Sequence, residues 1–502
     1  MKNVLEYLEY NAVINSEKTA ASDFDTAVTY SELFDVSKRI GSALSKLNAK
    51  NKPVALFLEK SVDLLSAMLG VVYSGNFYSV VDLEMPNDRK NKIFETLKPA
   101  ALLTDKAHLE KAKEIAFNGE VILLEETITS DVDEDKLSEI RSRQIDTDPL
   151  YANFTSGSTG VPKGIVVCHR SVIDFINVFT KTFDINGDDV IANQAPFDFD
   201  VSVKDIYSSL KMGAHLAIVP RRLFSAPVEL LDYLCEKNVT VMIWAVSALC
   251  LISTLHGLDY KTPETVKKIL FSGEVMPYKH LLNWQSHLPN VTLVNLYGPT
   301  EITCNCTYHI LEKNRDYSEG IPIGKAFENE DVFLLDENNQ LVTEVGKAGE
   351  ICVRGTALAL GYYASPEQTA KSFVQNPLNS NYPELIYRTG DLAVYNENSE
   401  LVFSGRKDFQ IKYMGHRIEL EEIEHAMAGI DGVERCVCIF DEKKSKLKGF
   451  YVGSIEKVEL LTIMRNTLPV FMIPNVIRQV EEMPLTKNGK VDRKKLNEMG
   501  RR

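Results

Sequence analysis

The chain has 502 residues, 44% of them hydrophobic, and a formal net charge of −14. That length calls for roughly two to four domains rather than one. The acidic balance excludes a general binder of nucleic acid or of an anionic membrane, both of which attract basic surfaces, and leaves open only a small anion held at a local positive site.

In chain order, MKNVLEYLEYNAVI has an apolar helical period with glutamates, and it lacks the basic start and long apolar core of a signal peptide. KPVALFLEK (52–60) reads as a strand, SVDLLSAMLGVVYSG (61–75) as a helix, and FYSVVDL (77–83) and AALLTD (100–105) as strands. YANF leads into the small-residue run NFTSGSTGVPKG (153–164), and VPKGIVVCHRSVIDFI continues through a strand into a helix. AHLAIV, NVTVMIWA, VKKILFSG and VTLVNLYG are further strands. Short β-rich runs between helical stretches indicate βαβ units and largely parallel sheets.

From about 321 to 404 the pattern changes to short strands with turns, as in DVFLLDENNQLV and GEICVRG, which indicates a small β-barrel-like part. GRKDFQIK (405–412) and a short helix, RIELEEIEHAM, open a last α+β module. The expected fold class is therefore α/β, with a large domain over 1–404 and a small one over 405–502. No stretch approaches the roughly 18 apolar residues of a membrane span, so no membrane insertion is expected. The eight cysteines are scattered, which fits a reducing cytoplasm. Cys304-x-Cys306 and Cys436-x-Cys438 have no second pair or histidine pair at ligand spacing, so no structural metal site is expected.

The run 153–164 collects hydroxyls, glycines and one lysine. Glycine lets a backbone approach an anion, and amides, hydroxyls and Lys163 can donate to it. The plain alternative is a turn between a strand and the next element. The run is not the GxxxxGK[ST] nucleotide loop, because its lysine comes three residues after the last loop glycine. NLYGPTE (295–301) supplies an aromatic face for a base and a carboxylate for magnesium. YRTGDL (387–392) sets Asp391 after a glycine turn, and NGKVDR (488–493) sets a cation beside glycine.

These runs, in this order, resemble the adenylate-forming superfamily: acyl-CoA synthetases, luciferases and the adenylation domains of nonribosomal peptide synthetases. The likeness runs from TAVTYSEL (26–33) to NGKVDR. NQAPFDFDVSVKDIYSSL (193–210), LFSGEVMP (270–277) and GRKDFQIKYMGHRIELEEIEHAM (405–427) are most similar to the stand-alone D-alanine–carrier protein ligases. The resemblance implies a carboxylate attacking the α-phosphate of ATP, then transfer of the acyl group to a thiol. ATP and Mg2+ are the implied cofactors, and the small C-terminal domain is implied to be mobile.

It further implies that Thr155, Ser156, Gly157, Ser158, Thr159, Gly160 and Lys163 hold the β- and γ-phosphates. Tyr297 is implied to stack on adenine, Thr300 to lie near phosphate, and Glu301 to bind the magnesium. Gly273, Glu274, Asn295 and Gly298 are implied to belong to the same nucleotide site. Asp391 and Arg406 resemble the ribose contacts, Lys490 the mobile catalytic lysine, Asp408 the hinge and Phe199 an aromatic gate on the thiol tunnel. The bland readings are a helix cap for Glu301, a turn residue for Asp391, core packing for Tyr297 and a solvated cation for Lys490.

Asp200 falls where amino-acid-activating relatives place the partner of the substrate's ammonium; the alternative is a helix N-cap before VSVKDIY. The pocket is expected to comprise Val201, Lys204, Ile243, Leu270, Ser272, Leu296, Cys304 and Asn305. D-alanine ligases usually carry an apolar residue at Lys204 and a cysteine at Ser272, so Lys204 points to an acidic or polar amino acid. Alternatively Lys204 pairs with Asp200 one helical turn away or snorkels to water. No condensation-type HHxxxD motif precedes the matched region and the chain stops about ten residues after NGKVDR, so the expected acceptor is the phosphopantetheine arm of a separate carrier protein. A D-alanine–carrier protein ligase and an acyl-CoA synthetase are the alternatives; a luciferase-type oxygenase suits Asp200 and Lys204 poorly, and the presence of Lys490, Glu301 and Asp391 argues against a non-catalytic scaffold.

Overall fold

A computed structural model describes residues 1–157, 160–441, 444–485 and 491–499. The apolar runs are strands. Pro53–Phe57, Phe77–Val80 and Ala101–Thr104 neighbour one another in a seven-stranded sheet. In a nine-stranded sheet, Thr292–Tyr297, Lys268–Ser272, Val241–Ala245, Val190–Asn193, His215–Ile218 and Thr19–Ser22 follow one another, all parallel. Runs such as PVALF and VMIWA do not alternate because both faces of a parallel sheet are covered.

Helices lie between the two sheets. Val62–Tyr73 is capped by Ser61, whose hydroxyl accepts from the Leu64 amide, and Asp63 is its one residue that is not buried. A helix apolar all round has to be enclosed. It crosses Tyr30–Ser45 so closely that a Cβ on Gly41 would sit 2.4 Å from the Cβ of Tyr73, and one on Gly70 would sit 2.4 Å from Ile40 Cγ2. Leu65, Met68, Tyr151, Ile243 and Leu270 share this central core. Separate cores around Trp244 and Trp284, and around Phe57 and Phe94, cover the outer faces.

A six-stranded antiparallel sheet follows, built from Glu330–Leu335, Leu341–Val342, Gly349–Gly355, Phe373–Gln375, Leu385–Tyr395 and Leu401–Arg406. It is the barrel-like part expected from the short strands. One detail differs from the sequence reading. Asp391 does not follow a turn; it lies inside the long strand Leu385–Tyr395, where Gly390 takes φ +74° and the register shifts against Gly349–Gly355. The glycine makes a bulge that re-aims the next side chain.

The last part has its own core, with Ile418, Ile423, Met427, Leu460 and Met464. It consists of the hairpin Gln410–Tyr413 with His416–Glu419, the helix Leu420–Ala428, and a three-stranded sheet of Val433–Asp441, Lys446–Gly453 and Val476–Gln479. The helix in RIELEEIEHAM is shorter than its pattern suggests, because Arg417–Glu419 are drawn into the hairpin by pairing with Gln410–Lys412. Among the described residues, no helix is long and apolar enough to cross a membrane.

Candidate active site

The site residues gather where the parallel strands of the nine-stranded sheet end, at their carboxyl edge, which is where open α/β sheets bind ligands. Ser272, Gly273 and Glu274 leave Lys268–Ser272; Tyr297 to Glu301 leave Thr292–Tyr297; Phe199 and Asp200 follow Val190–Asn193. The glycine-rich run joins two antiparallel strands, Pro149–Thr155 and Lys163–Cys168, with Thr155 paired to Lys163. It is a hairpin tip rather than a strand-to-helix turn, so its donors are amides and side chains rather than a helix end. Ser158, Thr159 and Lys490 lie outside the described residues.

Tyr297 is buried and its hydroxyl donates to Asp391 Oδ2, while Arg406 donates to Asp391 Oδ1. The two expected ribose contacts and the expected base-stacking ring thus form one cluster. Arg406 also forks onto Asp408, with Nε 2.6 Å from Oδ1 and Nη2 2.8 Å from Oδ2. Gly273 has φ +98° and nothing within 4 Å of the position a Cβ would take, so open space borders its backbone. Gly298 is different: a Cβ there would meet Asn305 Cα at 2.4 Å, so it serves close packing. Asn295 is also structural in part, donating to the Pro322 carbonyl at 2.9 Å.

Glu301 is fully buried in the short turn Thr300–Ile302. It accepts from Tyr362 Oη at 2.8 Å and from Arg417 Nη1 at 2.6 Å. Burial works against its charge, but the Arg417 guanidinium and these bonds hold its pKa below the usual carboxylate range. No group of three or more metal-ligating side chains occurs among the described residues. A lone ionised carboxylate suits magnesium, which takes one or two protein oxygens and completes its shell with water and phosphate. The open space at Gly273, the hairpin-tip donors and the ionised Glu301 fit ATP with magnesium.

Asp200 begins the helix Val201–Met212, yet its side chain makes no capping bond. Burial raises its pKa, opposed by the Lys204 charge and a hydrogen bond from Thr300. No cation is in ion-pair contact with it among the described residues. Lys204 neither snorkels nor pairs with Asp200: it is fully buried, and its Nζ donates to Asn305 Oδ1 at 2.6 Å. Cys304 and Asn305 are buried beside it, Ser272 is buried at the end of Lys268–Ser272, and the Cys304 thiol lies 3.0 Å from the Asp200 carbonyl. Val201 is half-buried; Ile243, Leu270 and Leu296 lie in the central core between the sheets.

Sequence reasoning did not anticipate what the C-terminal hairpin does. The Gly415 amide donates to Glu274. Lys412 Nζ stands 5.2 Å over the Tyr297 ring, and His416 packs edge-on against Phe199 and flat on Phe471. Arg417 reaches Glu301, Glu419 reaches Lys163, and Glu422 reaches Arg89 and the Gly157 amide. The run GHRIELEEIE was visible as a motif, but nothing in it told which acid meets which donor. Arg89, in NDRKNK, carried no signal at all.

The fold and the residues at the sheet edge define an adenylate-forming enzyme. The chain belongs to the AMP-binding enzyme family: that family matches residues 8–363, and the AMP-binding enzyme C-terminal domain matches 422–490. Surfactin synthase subunit 1 of Bacillus subtilis is 32% identical over 99% of this chain, which spans 14% of that protein. Zwittermicin A synthase ZmaJ of Bacillus cereus is 31% identical over 99% of this chain and 95% of its own length. An artificially fused adenylation–PCP di-domain of Klebsiella oxytoca, NpsA-ThdA, has the same fold, with a TM-score of 0.82 at 21% identity over 95% of this chain and 94% of its own.

Proposed function

We propose that the protein activates an amino acid with ATP and passes the acyl group to the phosphopantetheine thiol of a separate carrier protein, through a core over 1–404 and a C-terminal domain over 405–502. In the first step a substrate carboxylate oxygen bonds to the α-phosphorus of ATP and the bond to the β-phosphate oxygen breaks, releasing pyrophosphate. In the second, the thiol sulfur takes the acyl carbon, its proton is lost and AMP leaves. Both steps need positioning and charge stabilisation more than a protein nucleophile. Thr155, Ser156, Gly157, Gly160 and Lys163 hold phosphate oxygens, with Ser158 and Thr159 in the same run. Thr300 stands beside them, Tyr297 carries the base, and Asp391 with Arg406 hold the ribose hydroxyls. Magnesium, when bound at Glu301, offsets charge on the phosphates. Lys490 bridges carboxylate and α-phosphate, and the small domain turns about Asp408.

The observation that carries the amino-acid reading is Asp200: a carboxylate at the start of Val201–Met212 whose charge is disfavoured by burial, with no side-chain cap bond and, among the described residues, no cation in ion-pair contact. An α-ammonium supplies the missing charge; a fatty or aryl acid does not. The acidic or polar side chain rests on Lys204. Among the described residues the buried ammonium's hydrogen-bond partner is one amide oxygen, which compensates it poorly, and a substrate carboxylate or other acceptor completes it. The di-domain architecture of NpsA-ThdA supports a carrier as acceptor. Pyrophosphate release, screened over L- and D-amino acids, fatty acids and aryl acids, tests the proposal. Turnover confined to acidic or polar amino acids supports it. Preference for D-alanine removes the Lys204 argument, and preference for a non-amino acid removes the role of Asp200.

A further inference from the structure

The turn that carries Glu301 leads into a strained stretch. Thr303 and Cys304 both take a left-handed backbone, with φ +53° and +79°. Among the described residues no other two neighbours with side chains do so. In this region an L side chain crowds the following carbonyl, and a β-branched one such as threonine is a rare occupant. Such a conformation persists only where the surroundings dictate it. Here they do. Thr303 is fully buried, and its hydroxyl donates to the Ala357 carbonyl at 2.7 Å. The Cys304 thiol donates to the Asp200 carbonyl at 3.0 Å. The Cys306 amide donates to the Tyr297 carbonyl at 2.8 Å, which closes residues 298–305 into a loop. Gly298 lets that loop fold on itself: a Cβ there would stand 2.8 Å from the Cys304 carbonyl oxygen.

The loop carries contacts of two kinds. Before the left-handed pair stand Thr300, which bonds to Asp200, and Glu301, the acid suited to magnesium. After it stands Asn305, whose Oδ1 holds Lys204. An extended or right-handed backbone at 303 and 304 sends the chain in another direction, and Asn305 then no longer reaches Lys204 while Glu301 stays in its turn. The pair therefore sets the offset between the phosphate side of the site and its side-chain side. The Thr303 hydroxyl bonds to Ala357, and among the described residues it bonds to neither Asp200 nor Lys204. What Thr303 does for a substrate it does through them.

We propose that Thr303 and Cys304 are positioning residues, whose left-handed pair locks the offset between Glu301 and the contacts at Asp200, Asn305 and Lys204, so that a bound amino acid presents its α-carboxylate to the α-phosphate. The proposal rests on the reading of Asp200 and Lys204 as substrate contacts. It adds, in Thr303, a determinant of selectivity that lies outside the lining of the pocket.

The test compares Thr303→Gly with Thr303→Ala in the full chain. Both lose the hydroxyl. They differ in backbone freedom, because glycine enters the left-handed region without strain and leaves it as readily. Urea unfolding ranks their stability. Pyrophosphate release with ATP and magnesium ranks their activity, using glutamate of either hand and glutamine as its neutral isostere. The two rankings are expected to be opposite. Thr303→Gly unfolds at the higher urea concentration, since it escapes the strain that alanine keeps. Its kcat with glutamate is nevertheless about 10-fold lower than that of Thr303→Ala, because misplaced reacting groups lose rate, and its preference for glutamate over glutamine shrinks by about 10-fold. ATP affinity is the same in both. If Thr303→Gly is at least as active and as selective as Thr303→Ala, the pair is a turn that serves stability alone and the proposal is overturned. If the native protein itself shows no glutamate-dependent release, the reading of Lys204 falls and the proposal with it. Should Thr303→Ala not fold, Cys304→Gly and Cys304→Ala decide by the same two rankings.

Discussion

Lys204 Nζ lies 2.6 Å from Oδ1 of Asn305, across a sequence separation of 101 residues. The bond joins a helix that follows one parallel strand to the loop that follows another, and it holds an ammonium still at the base of the proposed pocket. Replacing Lys204 by methionine keeps most of the volume and removes the charge. Expected is a loss of about 100-fold or more in kcat/KM for an acidic amino acid, in line with a lost buried charge contact, and a much smaller change for a neutral one. Steady-state pyrophosphate release with paired substrates measures the split.

Asn305→Leu acts on the same pair from the other side. It leaves the Lys204 ammonium without its amide acceptor in a buried place, which costs about 1–3 kcal/mol. Thermal or urea unfolding reads that cost directly. Asn305→Asp is expected to recover the stability, because it offers Lys204 a full counter-charge.

Asp200→Asn removes the charge and keeps the shape. Amino-acid-dependent pyrophosphate release is expected to fall by about 100-fold or more, while ATP binding is unchanged. Isothermal titration with a non-hydrolysable ATP analogue separates the two. Equal loss of nucleotide affinity would make Asp200 a structural residue of the Thr300 turn.

Lys490→Ala is expected to cripple adenylate formation and to leave thiol transfer from preformed adenylate largely intact. Single-turnover assays of each half-reaction measure this, and equal loss in both contradicts the assigned role.

His169 gives a pH dependence of stability. It is buried behind the N-terminal helix, where Nδ1 accepts from the Val4 amide at 3.4 Å, and burial pushes its pKa down to about 3. The unfolded chain has a histidine pKa near 6.5. Between these values the unfolded state binds the extra proton, so stability falls as pH drops from about 6.5 towards 3, by at most about 1.4 kcal/mol per pH unit from this group. Unfolding midpoints over that range decrease in the native protein and decrease less in His169→Gln.

Much of this architecture is legible in the sequence. Val62–Tyr73 announces its burial because one acid interrupts eleven buried positions, and the parallel strands announce theirs by not alternating. The residues proposed to hold the nucleotide stand out because glycine, hydroxyl and carboxylate types recur at strand ends. The bulge at Gly390 is less so, since a glycine beside an acid reads equally as a turn; only the paired strand Gly349–Gly355 decides it. The Arg89–Glu422 contact is illegible for a plainer reason. Its partners are separated by 333 residues, and no local pattern reports on a pairing made by the docking of two domains.

The first strand of the nine-stranded sheet has a consequence for how the chain is made. Thr19–Ser22 pairs in parallel with His215–Ile218, and Ser22 Oγ lies 2.8 Å from His215 Nε2 across 193 residues of sequence. At synthesis rates of about 5–20 residues per second, the strand emerges roughly 10–40 s before its partner exists. During translation its apolar face has only local elements to lean on, such as the hairpin with Ala27–Thr29. Slow codons or an occupied chaperone between positions 22 and 215 therefore act on the half-made sheet, and changes there alter the yield of folded protein without touching any residue of the finished site.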